Sequence, residues 1–175
     1  MYYMKAIVCM TPSGGIGYNN GLPWHSSIDQ KYFKVKTIGN GNNAVVMGYN
    51  TYRSLGYRAL PNRRNYVLTR NPEEKSQWHA ADVVFESKIE NILLLNFIFE
   101  EVFIMGGETI YELFEPYYSD IFVTEIHESC VTDTYFNVSL DEMHYEKTKI
   151  DTKYEANGTK LDFYQYTKRS PEDFL

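Results

Sequence analysis

Three short stretches of this 175-residue chain hold the residues best suited to do chemistry. Asp29 stands in what reads as the first turn of a helix, just after Leu22-Pro23-Trp24, with Tyr32 at i+3 and Phe33 at i+4. An acid there complements the helix dipole. A carboxylate among rings, under a Trp-bearing loop, also loses water, and its raised pKa prepares it for acid–base work. Gly106-Gly107 separates a buried apolar run from a helix start. Two glycines there serve a tight turn, and they also let a phosphate approach the backbone beside a helix N-terminus. The third stretch, residues 30 to 72, has no Asp or Glu but carries Lys31, Lys34, Lys36, Arg53, Arg58, Arg63, Arg64 and Arg70. In a chain of net charge −6 this makes a local positive field that gathers anionic small molecules. Much of it is arginine, the fork that grips carboxylates and phosphates.

Other chemistries find no support. His25, His79, His127 and His144 show no metal-ligand spacing, so no metal site is expected. There is no GxSxG elbow and no P-loop lysine, and Gly14-Gly15-Ile16-Gly17 is not a dinucleotide fingerprint. The net negative charge argues against nucleic acid as a partner. No apolar run approaches a membrane span, so no membrane partner is expected. Cys9 and Cys130 lie far apart without redox spacing, and residues 1 to 5 lack a signal peptide's pattern. A cytoplasmic protein is the expectation.

These residues need elements to position them. Residues 4–10 (MKAIVCM) and 44–47 (AVVM) read as buried strands, and 65–69, 82–85 and 101–105 as further ones. Residues 11–20, rich in Gly, Asn and Ser, read as a flexible loop. Ser27 with Gln30 forms a capping box for a helix reaching about Thr37 and stopping at Gly39. Ser87 with Glu90 forms another, for a helix to about Leu95. Short helices are expected from Tyr49 to Tyr52 and from Glu108 to Phe114. Residues 121–126, 143–150 and 161–167 read as antiparallel strands. The alternation gives one α/β domain over residues 1–175: a central mixed, mostly parallel sheet, flanking helices and antiparallel C-terminal strands.

The segments, taken in order over about residues 4–169, resemble dihydrofolate reductase. Residues 15–17 and 21–24 resemble that family's mobile active-site loop, and 29–34 its folate-binding helix with a single acid. Residues 45–52 resemble the strand and helix start on the cofactor side, and 60–65 the arginine-bearing turn. Residues 103–107 with Ile110 and Tyr111 resemble the glycine-pair segment. Thr124 and residues 133–136 match late family signatures.

The resemblance implies a three-layer dihydrofolate reductase-like fold. It also implies NADPH-dependent reduction of 7,8-dihydrofolate to 5,6,7,8-tetrahydrofolate, in support of one-carbon metabolism and thymidylate synthesis. Antifolates such as methotrexate would bind, and the chain would act as a monomer. Asp29 would anchor the pterin and favour its protonation through a water near Trp24. Thr124 would support that carboxylate, and Tyr111 would stand near the reacting carbons. Ile7, Cys9, Leu22, Gln30 and Met105 would surround the substrate. Phe33 would pack on the pterin, Leu55 and Leu60 on the aminobenzoyl ring. Arg63 would pair with the glutamate α-carboxylate, with Lys34 nearby. On the cofactor side the resemblance implies Val8, Ile16, Gly17, Gly48, Tyr49, Asn50, Thr51, Leu68, Thr69 and Arg70. Gly106, Gly107, Glu108, Thr109 and Ile110 would complete that side, the glycine pair cradling the pyrophosphate. Arg70 would select NADPH over NADH.

The chain departs from the family pattern at Tyr49-Asn50, where a basic residue is common, and at Gln30, where an apolar one is usual. Cys9 stands where small residues are common. Residues 56–60 carry an apparent extra residue, so the carboxylate partner falls to Arg63 or its neighbour Arg64. Two other readings compete. A related reductase acting on a riboflavin-pathway pyrimidine would not need Asp29 together with Arg63. A non-catalytic binding module would not retain Trp24, Asp29, Phe33, Arg63, Gly106, Gly107 and Thr124 together.

Overall fold

The computed structural model describes residues 3–79 and 81–175. An eight-stranded sheet forms its centre, in the order β5-β4-β3-β6-β1-β7-β10-β9. The strands are β1 (Met4–Met10), β3 (Asn43–Gly48), β4 (Arg64–Leu68), β5 (Val83–Glu86), β6 (Glu101–Ile104), β7 (Tyr118–Ile126), β9 (Tyr145–Tyr154) and β10 (Lys160–Lys168). A separate two-stranded ribbon pairs β2 (Gly15–Gly17) with β8 (Thr134–Tyr135). The helices are α1 (Ser27–Ile38), α2 (Tyr49–Ser54), α3 (Pro72–Trp78), α4 (Ile89–Leu93) and α5 (Glu108–Leu113).

β1, β3, β4, β5, β6 and β7 run parallel, and β10 and β9 are antiparallel additions at one side. β7 therefore corrects one expectation. It was read as one of three antiparallel strands, but it pairs parallel with β1 and antiparallel only with β10. Its sequence pattern is equally apolar in both cases, because it is covered on both faces.

The pleat divides the core. On one face Ala6, Val8, Ala44, Val46, Val102 and Ile104 pack with Ile92 and Leu93 of α4 and Tyr111 of α5. On the other, Ile7, Val45, Met47, Phe103 and Phe122 pack with Tyr32 and Phe33 of α1 and Tyr52 of α2.

Two helix starts differ from the capping boxes read in the sequence. α1 is capped by Ser26, whose Oγ accepts the Asp29 N–H at 3.0 Å, rather than by Ser27 with Gln30. Ser27 is occupied by a distant carboxylate, Glu155, at 3.4 Å. α4 begins at Ile89 with no side-chain cap. Lys88 is the residue before the helix, so Ser87 stands one position too early to cap it, and Glu86 Oε1 accepts the Ser87 and Lys88 N–H groups at 2.8 and 2.9 Å. After Leu93 the chain tightens into a 3-10 turn, Leu94–Phe97. Residues 11–20 are less loop-like than their composition suggests. Gly15 and Gly17 pair with Tyr135 and Thr134, and Asn19 N–H donates to Asp133 Oδ2 at 2.9 Å. A Cβ at Gly15 or Gly17 would fall 2.3 or 2.5 Å from the hydroxyl of Thr132 or Thr134, so only glycine permits this pairing.

Candidate active site

The site lies along the side of α1 that faces the sheet. Register carries its deepest part. Cys9 of β1 stands beside Thr124 of β7, which in turn stands beside Phe163 of β10. Asp29, in the first turn of α1, accepts hydrogen bonds from the Thr124 hydroxyl and the Cys9 thiol. Burial pushes the Asp29 carboxyl above its ordinary value, against the opposing pull of those two bonds. Burial also pushes the Cys9 thiol well up, with Asp29 adding to it, so Cys9 is a neutral donor there. The Trp24 side chain hydrogen-bonds to that sulfur. Tyr32, packed at 4.6 Å between ring centroids on Phe163, is pushed up to about 12 by burial and by Asp29. Tyr111 reaches from α5 to donate to the Ile7 carbonyl at 2.7 Å, which places its fully enclosed ring near Cys9 and Asp29.

Beyond Asp29 the walls become apolar. Ile7, Phe33, Leu55, Leu60 and Met105 belong to one packed cluster. At its far end lies Arg63. Its Nε donates to the Pro61 carbonyl at 2.9 Å and its Nη1 to the Thr37 hydroxyl of α1 at 3.0 Å. Thr37 Oγ1 itself donates to the Phe33 carbonyl at 2.7 Å. Arg63 is half-buried, burial lowers its pKa, and among the described residues it makes no ion pair. Arg64, by contrast, opens β4 on the exposed surface, so it is Arg63 that faces α1. Gln30 and Lys34 are exposed along the same helix, and Leu22 is exposed on the loop before it.

A second arrangement forms where the carboxyl ends of β3 and β6 meet. Gly48 N–H donates to the Gly106 carbonyl at 2.8 Å, and Gly106 and Gly107 are joined by a cis peptide bond. α2 starts at one strand end and α5 at the other, so Thr51 and Gly107 come together: a Cβ on Gly107 would lie 3.7 Å from Thr51 Oγ1. A Cβ on Gly48 would meet Ile110 at 3.0 Å, and one on Gly106 would meet the Tyr111 ring at 3.0 Å. Two adjacent helix starts floored by glycine suit a diphosphate, since the first N–H groups of a helix point outward. Crevices at strand carboxyl ends are where open α/β sheets hold ligands. Glu108 is turned aside, its Oε1 accepting from Asn137 Nδ2 at 2.8 Å, and Thr109 is exposed.

The remaining sequence-predicted residues are spread more widely. Thr69 hydrogen-bonds through its N–H to the Glu86 carbonyl, and Leu68 precedes it at the end of β4. Arg70 opens onto a cleft of ≈ 420 Å³ that it lines with Asn71, Pro72, Glu73, Glu74 and Ser87. Tyr49 is taken up in a ring cluster. Its hydroxyl lies 3.0 Å from His79 Nε2 and its ring 4.5 Å from Lys75 Nζ, while Asn50 is exposed beside it. The Val8 side chain is buried on the opposite face from Ile7 and Cys9, and Ile16 packs against that same cluster. Sequence reading missed Ser26 and Glu155, which hold the start of α1. Ser26 had a local signal, a serine before a helix; Glu155 had none.

The fold is an α/β domain with an acid-bearing helix beside the sheet and a glycine-floored crevice at the carboxyl ends of β3 and β6. The family model for dihydrofolate reductase matches residues 3–168. A dihydrofolate reductase of Staphylococcus haemolyticus is 36% identical over 166 residues, covering 94% of this chain and 95% of its own. One of Bacillus subtilis is 34% identical, covering 94% of each. A solved structure, the dihydrofolate reductase of Enterococcus faecalis complexed with NADP(H) and RAB-propyl, superposes with a TM-score of 0.83. It is 31% identical and covers 97% of this chain and 100% of its own. The chain belongs to the dihydrofolate reductase family.

Proposed function

We propose how this site divides the work of its family's reaction, the NADPH-dependent reduction of 7,8-dihydrofolate to 5,6,7,8-tetrahydrofolate. One observation carries the reading: α1 presents a half-buried carboxylate at Asp29 and, eight residues on at Thr37, braces a guanidinium that makes no ion pair among the described residues. Eight helical residues span about 12 Å. Between the two charges lies the apolar wall of Phe33, Leu55, Leu60, Ile7 and Met105. A ligand with a hydrogen-bond-donating heterocycle at one end, an aromatic middle and a carboxylate at the other matches that order. Dihydrofolate is such a ligand, and methotrexate shares its outline.

Asp29 accepts hydrogen bonds from the pterin amino group and the neighbouring ring nitrogen. The ligand's N–H donors replace the water that the carboxylate lost on burial, so binding relieves part of its desolvation. Its negative charge favours the proton that the ring nitrogen must gain, delivered through water beside Trp24. Thr124 and Cys9 hold the carboxylate in place by donating to it. Tyr111 closes the floor, its hydroxyl committed to the Ile7 carbonyl. Arg63 keeps N–H groups free for a bidentate pair with the glutamate α-carboxylate.

The residues present also fit the cofactor. The glycine-floored junction of α2 and α5, where a Cβ on Gly107 would lie 3.7 Å from Thr51 Oγ1, supports a pyrophosphate held there. Arg70 and Thr69 supply cationic and hydroxyl contacts for a 2′-phosphate, and this choice falls to Arg70 because Tyr49 and Asn50 bring no charge. When bound, NADPH supplies the hydride. The chain's part is to orient, to exclude water and to hold the proton source. No helix among the described residues is long and apolar enough to cross a membrane. We read the chain as a cytoplasmic monomer.

The test follows NADPH absorbance in the near ultraviolet, with and without dihydrofolate and with methotrexate as blocker. Dihydrofolate-dependent, methotrexate-sensitive loss of absorbance is expected. Methotrexate binding without turnover would locate a fault on the cofactor side near Tyr49. Neither binding nor turnover would remove the reading.

A further inference from the structure

The hairpin between β9 and β10 reaches across to the start of α1. Its turn is closed by two backbone bonds, Glu155 N–H to the Thr159 carbonyl and Gly158 N–H to the Glu155 carbonyl, both 2.9 Å. Thr159 Oγ1 adds a bond to Glu128 Oε2 at 2.9 Å, tying the turn to the chain beyond β7. From this anchored turn Glu155 extends to α1. Its Oε1 accepts from Ser26 Oγ at 2.5 Å and from Ile28 N–H at 3.1 Å. Its Oε2 has only the longer Ser27 contact at 3.4 Å. Ser26 Oγ then accepts the Asp29 N–H at 3.0 Å. A helix start leaves its first N–H groups without partners. Here two of them, on Ile28 and Asp29, are held by one carboxylate, directly and through Ser26.

We propose that Glu155 is a positioning residue for Asp29: through Ser26 and Ile28 it sets the first turn of α1, and with it the direction from which the Asp29 carboxyl meets the substrate. This rests on the role given to Asp29 above. Glu155 bonds the helix start at Ser26, Ser27 and Ile28 and reaches Asp29 only through it. Asp29 itself hangs from a helix end that nothing else in the described hydrogen-bond pattern caps, so the side chain's aim depends on a contact 129 residues away in sequence. The charge of Glu155 acts along the same route. Bonds from Ser26 and Ile28 hold the Glu155 carboxyl low, so it stays ionised, and its like charge adds to the burial that keeps the Asp29 carboxyl up. The other groups facing Asp29 are Cys9 from β1, Thr124 from β7, Tyr111 from α5 and Tyr32 from α1 itself; His25 faces Glu155.

The geometry separates bonding from charge, because both strong contacts fall on one oxygen. Glu155→Gln keeps an acceptor at that oxygen and loses the charge; Glu155→Ala loses both. In the full chain, Glu155→Ala is expected to lower kcat/KM for dihydrofolate about tenfold, since small misplacements of a reacting group are costly. Glu155→Gln is expected to stay close to the wild-type rate at its optimum, with the limb of the pH profile governed by Asp29 moved toward acid. NADPH affinity, read by fluorescence quenching, should be unchanged in both, which a general loss of folding would not allow. Ser26→Ala should lower the rate as Glu155→Ala does, and the double variant should be no worse than either alone. Wild-type kcat/KM and an unmoved pH profile in Glu155→Ala would overturn the proposal. So would a rate loss matched by an equal loss of NADPH affinity, or full additivity with Ser26→Ala. A wild-type chain without turnover would instead count against the reading of Asp29, a separate result.

Discussion

Arg63→Ala should cost this enzyme its grip on the far end of the substrate and little else. The guanidinium has five N–H groups. The structure commits one to the Pro61 carbonyl at 2.9 Å and one to the Thr37 hydroxyl at 3.0 Å. Three remain, on a fork whose plane is already fixed by those two bonds. A carboxylate arriving there finds a cation that has lost part of its water to burial, seen in its lowered pKa, and loses little rotamer freedom on binding. Hydrogen bonds to a charged group are worth about 1.5–3 kcal/mol. That corresponds to about a 10- to 150-fold rise in the KM for dihydrofolate, with kcat changed far less. The assay compares dihydrofolate with a dihydropterin that lacks the aminobenzoyl-glutamate tail. Arg63→Ala should weaken the first and leave the second unaffected. Arg63→Lys should recover only part of the loss, because a point charge cannot replace the fork. Thr37→Val, which keeps the cation and removes its brace, should fall between. Equal losses for the tailed and tailless substrates would refute the reasoning, since Arg63 would then be acting through α1 rather than on the carboxylate.

Asp29→Asn should lower turnover at neutral pH by about 10²-fold or more, with a milder loss in acid, where the substrate is already protonated; unchanged neutral turnover would end the catalytic role. The same variant should melt higher than wild type at neutral pH. The folded-state pKa of Asp29 is raised, so the folded protein binds the proton more tightly than the unfolded chain. Its contribution to stability therefore falls as pH rises from the unfolded value through the folded one, and the variant's advantage should vanish in acid. Gly106→Ala places a Cβ 3.0 Å from the Tyr111 ring at a residue with φ of +110°, which should cost about 2 kcal/mol. A melting temperature about 4–8 °C lower is expected from calorimetry. Arg70→Ala should raise the KM for NADPH about tenfold and leave that for NADH unchanged, the comparison being made by initial rates with each cofactor.

Much of the site could be read locally. Asp29, Tyr32 and Phe33 share a helix face because their spacing is helical, and that holds wherever the helix docks. Gly106 marks the exit from a buried strand because a side chain there would crowd the Tyr111 ring at a positive φ. Places where a polar group could be satisfied by something remote were less legible. The expected capping boxes at Ser27 and Ser87 are sound local chemistry. At the first, Glu155 takes Ser27 and Ser26 becomes the cap; the second helix starts later, at Ile89, with no side-chain cap. The same holds for the loop before α1, whose glycines suggest freedom but instead admit the close pairing with residues 134 and 135.

The sequence by itself determined the strand–helix alternation, the acid-free basic stretch and the chemistry carried by Asp29, Arg63 and the glycine pair, since periodicity and side-chain type are short-range properties. Only the tertiary structure decided which residues meet. Sheet register set Cys9 beside Thr124, beneath Asp29. The course of the chain past Pro61 turned Arg63, rather than Arg64, onto Thr37. The hairpin between β9 and β10 brought Glu155 to a helix start 129 residues earlier. Each of these contacts exists only because distant segments pack against one sheet. A burial-raised carboxyl or a braced guanidinium is a property of that packing, not of the residue's neighbours in the chain.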